Sequence, residues 1–358
     1  MTKAEFFAQL EQAIAHLPKD TREDILRYFT EQFEDLTEEG MTEAEAVAAL
    51  GDFREAFDSL QADTSAPQNE GTPETAAHTE HRIFTAEHLP PRIRLTEKNC
   101  GVEILPSPDG RLWVEYDITR FTEVTVSCDA NCFTYTAREI PRFFCIQFQR
   151  RKPTRLYLPQ GYRPTMEIQT SNAPVRAADI SCADALFHTQ NSSILLANLT
   201  ADDLTAKTCN APAKAEHITA KKLTVKTVNA SLRAAHLTAG EIQLKTTNGS
   251  LAAEHITADS LDASTANGKI IAEHLTVPTV TLTTSNGKIS LENADVQHVT
   301  LSTFNAGIHA TLPGTAADYG ISTVTSTAVR SVQTAGASRS LNAKTFNGKL
   351  NITFVGEQ

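Results

Sequence analysis

Hydrophobic and polar residues alternate along short segments in the second half of the chain. In segment 240–258, GEIQLKTTNGSLAAEHITA, Ile242 and Leu244 are separated by polar residues, and the apolar positions resume after Asn248 and again after His255. Alternation with a period of two is typical of a β-strand with one buried face. The segment therefore predicts about three short strands separated by bends.

The same segment recurs every 19 residues, and each copy has an asparagine with a threonine two positions before it. The asparagines are Asn172, Asn191, Asn210, Asn229, Asn248, Asn267, Asn286 and Asn305, and the threonines are Thr170, Thr189, Thr208, Thr227, Thr246, Thr265, Thr284 and Thr303. A strict repeat of this length is typical of a solenoid. We predict a mainly β fold, a single-stranded parallel β-helix with 19-residue coils stacked about 4.8 Å apart. Its handedness stays open.

The two repeated residue types have different predicted roles. We expect each asparagine at a tight corner in the left-handed conformation, which Asn tolerates better than β-branched residues do, with its amide hydrogen-bonded to the next coil. Gly249 and Ala230 both follow such asparagines, so the glycine is expected to be optional. The threonines share the parity of the buried aliphatic residues and are expected to point inward, which argues against an exposed ice-binding array in this column.

A third column contains histidines at the same spacing. Its members are His217, His236, His255 and His274, continued by Asp179, Asn198 and Asn293. Imidazoles in a column could bind zinc or respond to pH. Ligands about 4.8 Å apart on one line do not enclose a tetrahedral ion easily. We therefore expect exposed corner residues, and we predict no metal, cofactor or catalytic residue. The remaining hypothesis is that protonation of the stack weakens these coils.

Residues 1–60 follow a helical period instead. Thr2, Thr42 and Asp52 each precede a glutamate by three positions, which is the capping-box spacing. The apolar residues recur every three to four positions at Phe6, Leu10, Ile14, Leu17, Ile25, Phe29, Phe33, Leu36, Leu50, Phe53, Phe57 and Leu60. This pattern predicts a small all-α domain of three to four short helices.

The rest of the chain divides by composition. Residues 61–80 contain no Leu, Ile, Val, Phe or Tyr and predict a flexible linker. We predict a β-solenoid over 81–358, made of an irregular β N-terminal cap at 81–168, regular coils at 169–311, and C-terminal coils with a cap at 312–358. The flanks are expected to cover the ends, because an open apolar end would aggregate.

Charge changes the functional picture. The net charge of the 358 residues is −11, and residues 1–60 carry 15 acids and 5 bases, whereas residues 169–358 carry 14 of each. The acidic helices, with Glu31, Glu34, Asp35, Glu38 and Glu39 on their polar faces, are either a solvated surface or a docking surface for a basic protein partner. Nucleic-acid binding is disfavoured, because it needs a basic surface.

One basic cluster departs from this distribution. Arg142, Arg150, Arg151, Lys152 and Arg155 surround Phe143, Phe144 and Phe148. The cluster predicts either a surface for RNA or, more in keeping with the charge balance, rim and cap residues or an internal partner of the acidic helices.

Compartment signals are few. Cys100, Cys128, Cys132, Cys145, Cys182 and Cys209 have no CxxC spacing and are expected to be free thiols in a reducing cytoplasm, with a Cys128–Cys132 disulfide as an unsupported alternative. No signal-peptide pattern and no apolar run of about 20 residues is present, so we predict a cytoplasmic protein without a transmembrane segment.

Two resemblances follow from these motifs. The "LP" after the first helix, the acidic second helix ending in "EEG" and the "LG" before the last helix make residues 1 to about 60 resemble the HAAS-type helical domain of bacteria. That resemblance implies a signalling module, often linked with PadR-type transcription regulators. The coils "T-x-N-G-x-(I/L)-x-A", preceded by "LP-x-GY" at 158–162, make residues 80–355 similar to the bacterial putative-adhesin family of β-strand repeats, which has no agreed biochemical function.

The chain contains no motif for phosphate, metal or nucleophilic chemistry. We therefore predict a non-enzymatic scaffold or protein-interaction protein, in which a helical signalling module is tethered to a rigid β-solenoid. One alternative is a self-assembling cytoskeletal β-helix resembling bactofilins, and another is a surface adhesin exported by an unseen route. The partner's identity, any ligand and the oligomeric state stay open.

Overall fold

The structure is a computed structural model of the chain. It describes residues 2–15, isolated residues between 22 and 47, and residues 79–119, 122–139, 151–326, 329–332 and 337–357. Residues 1–77 belong to one compact unit. Residues 78–139 and those from 150 onward belong to a second unit.

The helical unit begins with α1 (Lys3–Ile14), which the Thr2–Glu5 capping box starts as predicted. The apolar face of α1 is fully buried in a cluster made of Phe6, Leu10, Ile14, Phe29, Phe33 and Val47. The second capping box is present too, since the Glu45 amide donates to Thr42 Oγ1 and the Thr42 amide donates to the Glu45 carboxylate.

The predicted helix count is corrected. The described residues contain one helix with defined bounds, α1, where three to four were predicted. Between residues 22 and 47 only isolated residues are described, and these define no further helix bounds. Thr30 and Thr37 bond the carbonyls of Leu26 and Phe33 four residues earlier, the spacing of a helical turn. The third predicted capping box, at Asp52, lies outside the described residues.

The β unit consists of short strands and two 3₁₀ turns. Its strands are β1 (Thr79–Thr85), β2 (Arg92–Thr96), β3 (Val102–Pro106), β4 (Trp113–Thr119), β5 (Thr122–Cys128), β6 (Cys132–Glu139), β7 (Thr154–Leu158), β8 (Thr165–Gln169), β9 (Val175–Ser181), β10 (Asp184–His188), β11 (Ile194–Lys207), β12 (Ala213–Lys226), β13 (Leu232–Lys245), β14 (Leu251–Ser264), β15 (Ile270–Thr276), β16 (Thr279–Thr283), β17 (Ile289–Asp295), β18 (His298–Ser302), β19 (Ile308–Leu312), β20 (Tyr319–Val324), β21 (Val329–Val332), β22 (Arg339–Lys344) and β23 (Leu350–Phe354). The 3₁₀ turns are Ala316–Asp318 and Val355–Glu357.

These strands form a parallel β-solenoid of about nine turns with coils of about 19 residues, which confirms the predicted architecture. In β11–β14 each strand pairs in parallel with the next coil, as in Ala213↔Leu232 and Leu232↔Leu251. Alternate side chains are buried, as the period of two requires. The interior is one continuous apolar cluster from Ile93 to Phe354, made mostly of aliphatic side chains.

The coils do not stack in chain order at the ends. β2 pairs in parallel with β6 on one side and with β8 on the other, so the coil of residues 92–106 lies between those of 132–158 and 165–181. At the opposite end β22 lies between β18 and β20, so the coil of residues 339–354 precedes residues 319–324 in the stack.

Antiparallel strands cover the N-terminal end. β4 pairs with β7, β1 pairs with β4, and β5 pairs with β6, all antiparallel. Trp113 of β4 stacks on Tyr157 of β7 with ring centroids 3.9 Å apart. At the other end β21 pairs antiparallel with β20. The strand edges of the last N-terminal coil are therefore occupied by the chain's own strands.

Candidate functional site

A ladder of asparagine side chains follows one corner of the solenoid. Each amide nitrogen donates to the amide oxygen of the preceding coil in the stack, at N–O distances of 2.6–2.8 Å. The ladder contains the eight predicted asparagines together with Asn99 and Asn347. Its N-terminal end is a carboxylate, because the Asn99 amide donates to Glu139. Extending the β2–β6 register by three residues puts Glu139 in the ladder position of its coil.

The left-handed residues lie in a different column from the one predicted. Among the described residues the positive-φ non-glycine positions, with φ of 52–57°, are Asp179, Asn198, His217, His236, His255, His274 and Asn293. The prediction that the ladder asparagines adopt this conformation is therefore wrong. Both columns form polar corners, and the backbone makes the left-handed bend at the second one.

The glycines after the ladder asparagines are not freely exchangeable. A Cβ atom built on Gly249 would lie 1.8 Å from the Ala230 carbonyl oxygen, and one on Gly268 would lie 1.8 Å from the Gly249 carbonyl oxygen. A contact this short requires the backbone to shift, so the expectation that glycine is optional fails at these coils.

The threonine column is buried, as predicted. All eight predicted threonines, and Thr345 in the coil of residues 339–354, have 6% exposure or less. Thr265 is representative, since its hydroxyl donates to the Gly249 carbonyl at 3.0 Å and accepts from the Gly268 amide at 3.2 Å. The column therefore satisfies backbone groups at the turn and takes no part in a surface site.

The four histidines stack face to face on the exposed corner. Neighbouring ring centroids lie 4.6–4.8 Å apart with interplanar angles of 1–4°. Parallel rings direct their nitrogen lone pairs in parallel, so they do not converge on one ion. No group of three or more His, Cys, Asp or Glu positioned for a metal ion occurs in the described part of the chain.

A buried ionic cluster replaces the threonine in the coil of residues 92–106. Glu97 occupies the position two before Asn99, and its carboxylate accepts from Arg151 Nη2 at 2.8 Å and from the Tyr135 hydroxyl at 3.2 Å. The side chains of Glu97 and Arg151 are 0% and 6% exposed. Burial and the adjacent Glu97 charge raise the pKa of the Tyr135 hydroxyl above its ordinary value. This cluster joins the coil to the cap, since Arg151 precedes β7.

The predicted basic cluster separates into individual ion pairs. Arg151 is buried against Glu97, and Arg155 pairs with Glu103 at 2.8 Å and with Glu115 at 3.0 Å. The hydrogen bonds of Glu103 and Glu115 raise the pKa of the Arg155 guanidinium. Residues 142–150 lie outside the described residues. Arg151 and Arg155, the arginines of this cluster that the structure describes, therefore belong to the rim and cap.

The acidic face of the helices is described in part. Glu5 and Glu11 of α1 are exposed, and hydrogen bonds from Thr2 lower the pKa of the Glu5 carboxyl. The predicted acidic positions Glu31, Glu34, Asp35, Glu38 and Glu39 lie outside the described residues.

Comparison with known families decides the identity of the solenoid. Residues 92–334, more than half of the chain, match the Toastrack DUF4097 family. The chain belongs to the Toastrack DUF4097 family. Residues 5–55 match a second family, HAAS. Both resemblances inferred from the motifs are thereby confirmed. The Toastrack match begins at β2, the first strand of the coil that lies beneath the cap.

Solved structures similar to this Toastrack chain are described as adhesins. The putative adhesin from Bacteroides fragilis NCTC 9343 is 13% identical, with a TM-score of 0.39 over 77% of this chain and 98% of that one. Putative adhesins from Parabacteroides merdae ATCC 43184 and Parabacteroides distasonis ATCC 8503 are 12% and 15% identical, with TM-scores of 0.42 and 0.41 over 78% of this chain and 97% and 98% of theirs. None of the curated proteins matches the chain. The family assignment rests on residues 92–334.

The cysteines of the Toastrack solenoid are free thiols where they are described. Cys128 lies opposite Phe133 in the β5–β6 register, so the two side chains share one face of the hairpin. Cys132, the residue before Phe133, lies on the other face. The suggested disulfide between Cys128 and Cys132 is absent. Burial raises the pKa of the Cys182 thiol to about 12 and also raises that of Cys100. In the described residues no helix has the length and apolar character needed to cross a bilayer.

Sequence reasoning missed Asn99, Glu97 and Glu139. The sequence KNCGVEI at 98–104 resembles a coil start, but glutamate stands where the repeat has threonine and the spacing to Asn172 is 73 residues. A search for the T-x-N motif that tolerated a glutamate at its first position would have found Asn99.

Proposed function

We propose that this Toastrack protein is a non-enzymatic interaction scaffold. An acidic helical domain, residues 1–60, is tethered by the linker 61–80 to the rigid β-solenoid, residues 81–358. The observation that carries the proposal is the use of the repeated polar residues: asparagine bonds asparagine, threonine bonds backbone and histidine stacks on histidine. These residues stabilise the coils and do not converge as a catalytic group would.

The helical domain is the proposed partner-binding module. The HAAS match over residues 5–55 supports an interaction role, and the excess of acids over bases in residues 1–60 favours a basic protein surface. A PadR-type regulator is the proposed class of partner, and the cytoplasm is the proposed location because the described thiols are free. Fractionation of the source cells tests the location, and recovery in the envelope fraction would overturn it.

The experiment measures binding of full-length protein to a PadR-type regulator from the same organism. The charge reversal Glu31→Lys/Glu34→Lys/Asp35→Lys is expected to weaken binding at least about tenfold. The matched control Glu241→Lys/Asp262→Lys/Glu273→Lys, on the solenoid, is expected to bind like wild type. Equal binding by both triple variants, or no binding by the wild type, would count against the proposal.

The scaffold is proposed in preference to a self-assembling filament. End-to-end stacking requires open strand edges, whereas β4 and β5 pair with the last N-terminal coil. Light scattering is expected to give a mass that does not change with protein concentration, and growth of the mass with concentration would favour the filament.

A further inference from the structure

Charge is segregated around the solenoid, although residues 169–358 carry equal numbers of acids and bases. The asparagine corner comprises the positions from three before to two after each ladder asparagine. Its lysines are Lys98, Lys207, Lys226, Lys245, Lys269, Lys288, Lys344 and Lys349, which we name the basic edge. In these described coils the one acid among the corner positions is Glu97, which is buried against Arg151.

The lysines of the basic edge are available to a ligand. Lys226 is half-buried and the others are exposed. None of the eight has an ion-pair partner among the described residues, whereas Lys214, Lys221 and Lys222 on the other faces pair with Glu216, Asp202 and Glu241. Within the described part of the chain, the one carboxylate that bonds a ladder amide is that of Glu139, at the N-terminal end.

Three of these lysines lie directly beside one another. The strand register pairs Lys207 with Lys226 and Lys226 with Lys245. Like charges at paired positions of neighbouring strands repel and destabilise the sheet. A bound polyanion would relieve this repulsion among the three neighbouring coils that carry these lysines.

The asparagines between the lysines add a second recognition element. An amide inside the ladder uses one N–H and one oxygen lone pair there, as Asn248 does with Asn229 and Asn267. An amide has a second N–H and a second lone pair, and these remain for hydroxyl groups. The ten asparagines are exposed along an edge of nine coil steps, on the order of 43 Å at about 4.8 Å per step.

We propose that the basic edge binds a linear acidic polysaccharide, with carboxylates on the lysines and hydroxyls on the asparagine amides. Five successive corners, those of Asn210 to Asn286, each carry one lysine, so an extended acidic glycan lying along them meets a cation at every coil. Single-stranded nucleic acid fits less well, because it needs aromatic platforms distributed along the path. Here Phe304 and Phe346 lie together at one end and stack on each other at 5.0 Å.

The test titrates full-length protein with a β-linked oligomannuronate and with a neutral β-linked mannan oligosaccharide of equal length. Calorimetry is expected to detect the acidic glycan alone, with affinity falling between about 0.05 and about 0.5 M salt. The variant Lys207→Gln/Lys226→Gln/Lys245→Gln is expected to bind about tenfold more weakly, since it loses three cations of the edge. The matched control Lys214→Gln/Lys221→Gln/Lys222→Gln removes the same charge from other faces and is expected to change affinity less than about twofold.

Replacing the same three edge lysines by arginine keeps the charge and is expected to preserve binding, which separates a charge effect from misfolding. The proposal is overturned by absent binding of oligomannuronate, by equal binding of the neutral glycan, or by equal losses in the two glutamine triples. Tighter binding of an oligothymidylate through the same lysines would assign the edge to nucleic acid instead. Confirmation would favour a surface location over the cytoplasmic one, while leaving the role of residues 1–60 a separate question.

Discussion

Asn172 donates its side-chain amide to the Asn99 amide oxygen at 2.6 Å, although 73 residues separate the two in the chain. The contact shows that the coil of residues 92–106 stacks directly on that of residues 165–181, while residues 132–158 form the coil outside it. Along the chain, residues 92–106 therefore form an inner coil, and the coil of residues 132–158 with β4 and β5 covers its outer side. Residues 165–181 then continue the stack on the inner side. This arrangement encloses the inner coil between two neighbours.

Removal of one ladder amide tests what the asparagines contribute. Asn248→Ala loses the hydrogen bonds to Asn229 and from Asn267, so we expect a loss of about 1–2 kcal/mol in the free energy of unfolding. Thr247→Ala, an exposed neighbour, is the control for side-chain truncation at this corner. Equal destabilisation of the two variants in chemical denaturation would contradict a role for the ladder.

The buried threonine column is tested by an isosteric change. Thr265→Val keeps the shape but leaves the Gly249 carbonyl and the Gly268 amide without the hydroxyl, at a cost of about 1–3 kcal/mol. Thr257→Val makes the same change at an exposed position of β14 and is expected to be nearly neutral. Equal melting temperatures for the two variants would rule out the proposed hydrogen bonding.

The buried ion pair is expected to be strongly coupled. Arg151→Met leaves the Glu97 carboxylate buried without its cation and is expected to cost about 3–5 kcal/mol. The double variant Glu97→Met/Arg151→Met is expected to be more stable than that single variant, because no charge remains buried. As a surface control, Lys222→Met breaks an exposed pair with Glu241 and is expected to cost less than about 1 kcal/mol. A double variant that is no more stable than Arg151→Met would show that the pair is not coupled.

The stacked histidines predict a pH effect on stability. Protonated imidazoles in this stack would put like charges 4.6–4.8 Å apart along the corner. Glu216, Glu254 and Glu273, each one residue before a stacked histidine, offset part of this repulsion. We expect the melting temperature to fall between pH 7.5 and pH 5.5, and less so in His236→Gln/His255→Gln. A wild-type melting temperature that is flat over this range would refute the effect.

The Cys182 thiol is expected to be unreactive in the folded protein. Burial raises its pKa to about 12 from an ordinary value of 9.0, so at pH 8 the thiol is both protonated and inaccessible. The unfolded thiol ionises first as pH rises, so its contribution to stability is complete below pH 9 and is lost on approaching about pH 12. Alkylation at pH 8 is expected at the partly exposed Cys209 and, at Cys182, only after denaturant is added. Equal rates at the two cysteines in the folded protein would contradict this.

Local repetition explains which features the sequence predicts well. Ile242, Leu244 and Thr246 share one parity and all are buried, because the period of a strand decides the side of each residue. The bend at His255 was also predicted, since the apolar pattern restarts after it. The assignment of the left-handed conformation to Asn248 failed, because Asn and His at polar corners both tolerate it and the pattern alone does not distinguish them.

The sequence by itself determined the coil length, the strand alternation and the inward threonines, because each depends on residues within one 19-residue repeat. Only the tertiary structure decided the stacking order at the two ends, the place of Asn99 in the ladder, and the carboxylate of Glu139 at the end of the ladder. Those features depend on which backbone edges pair between distant segments. The Glu97–Arg151 pair, formed across 54 residues, stabilises that choice through contacts that no local pattern encodes.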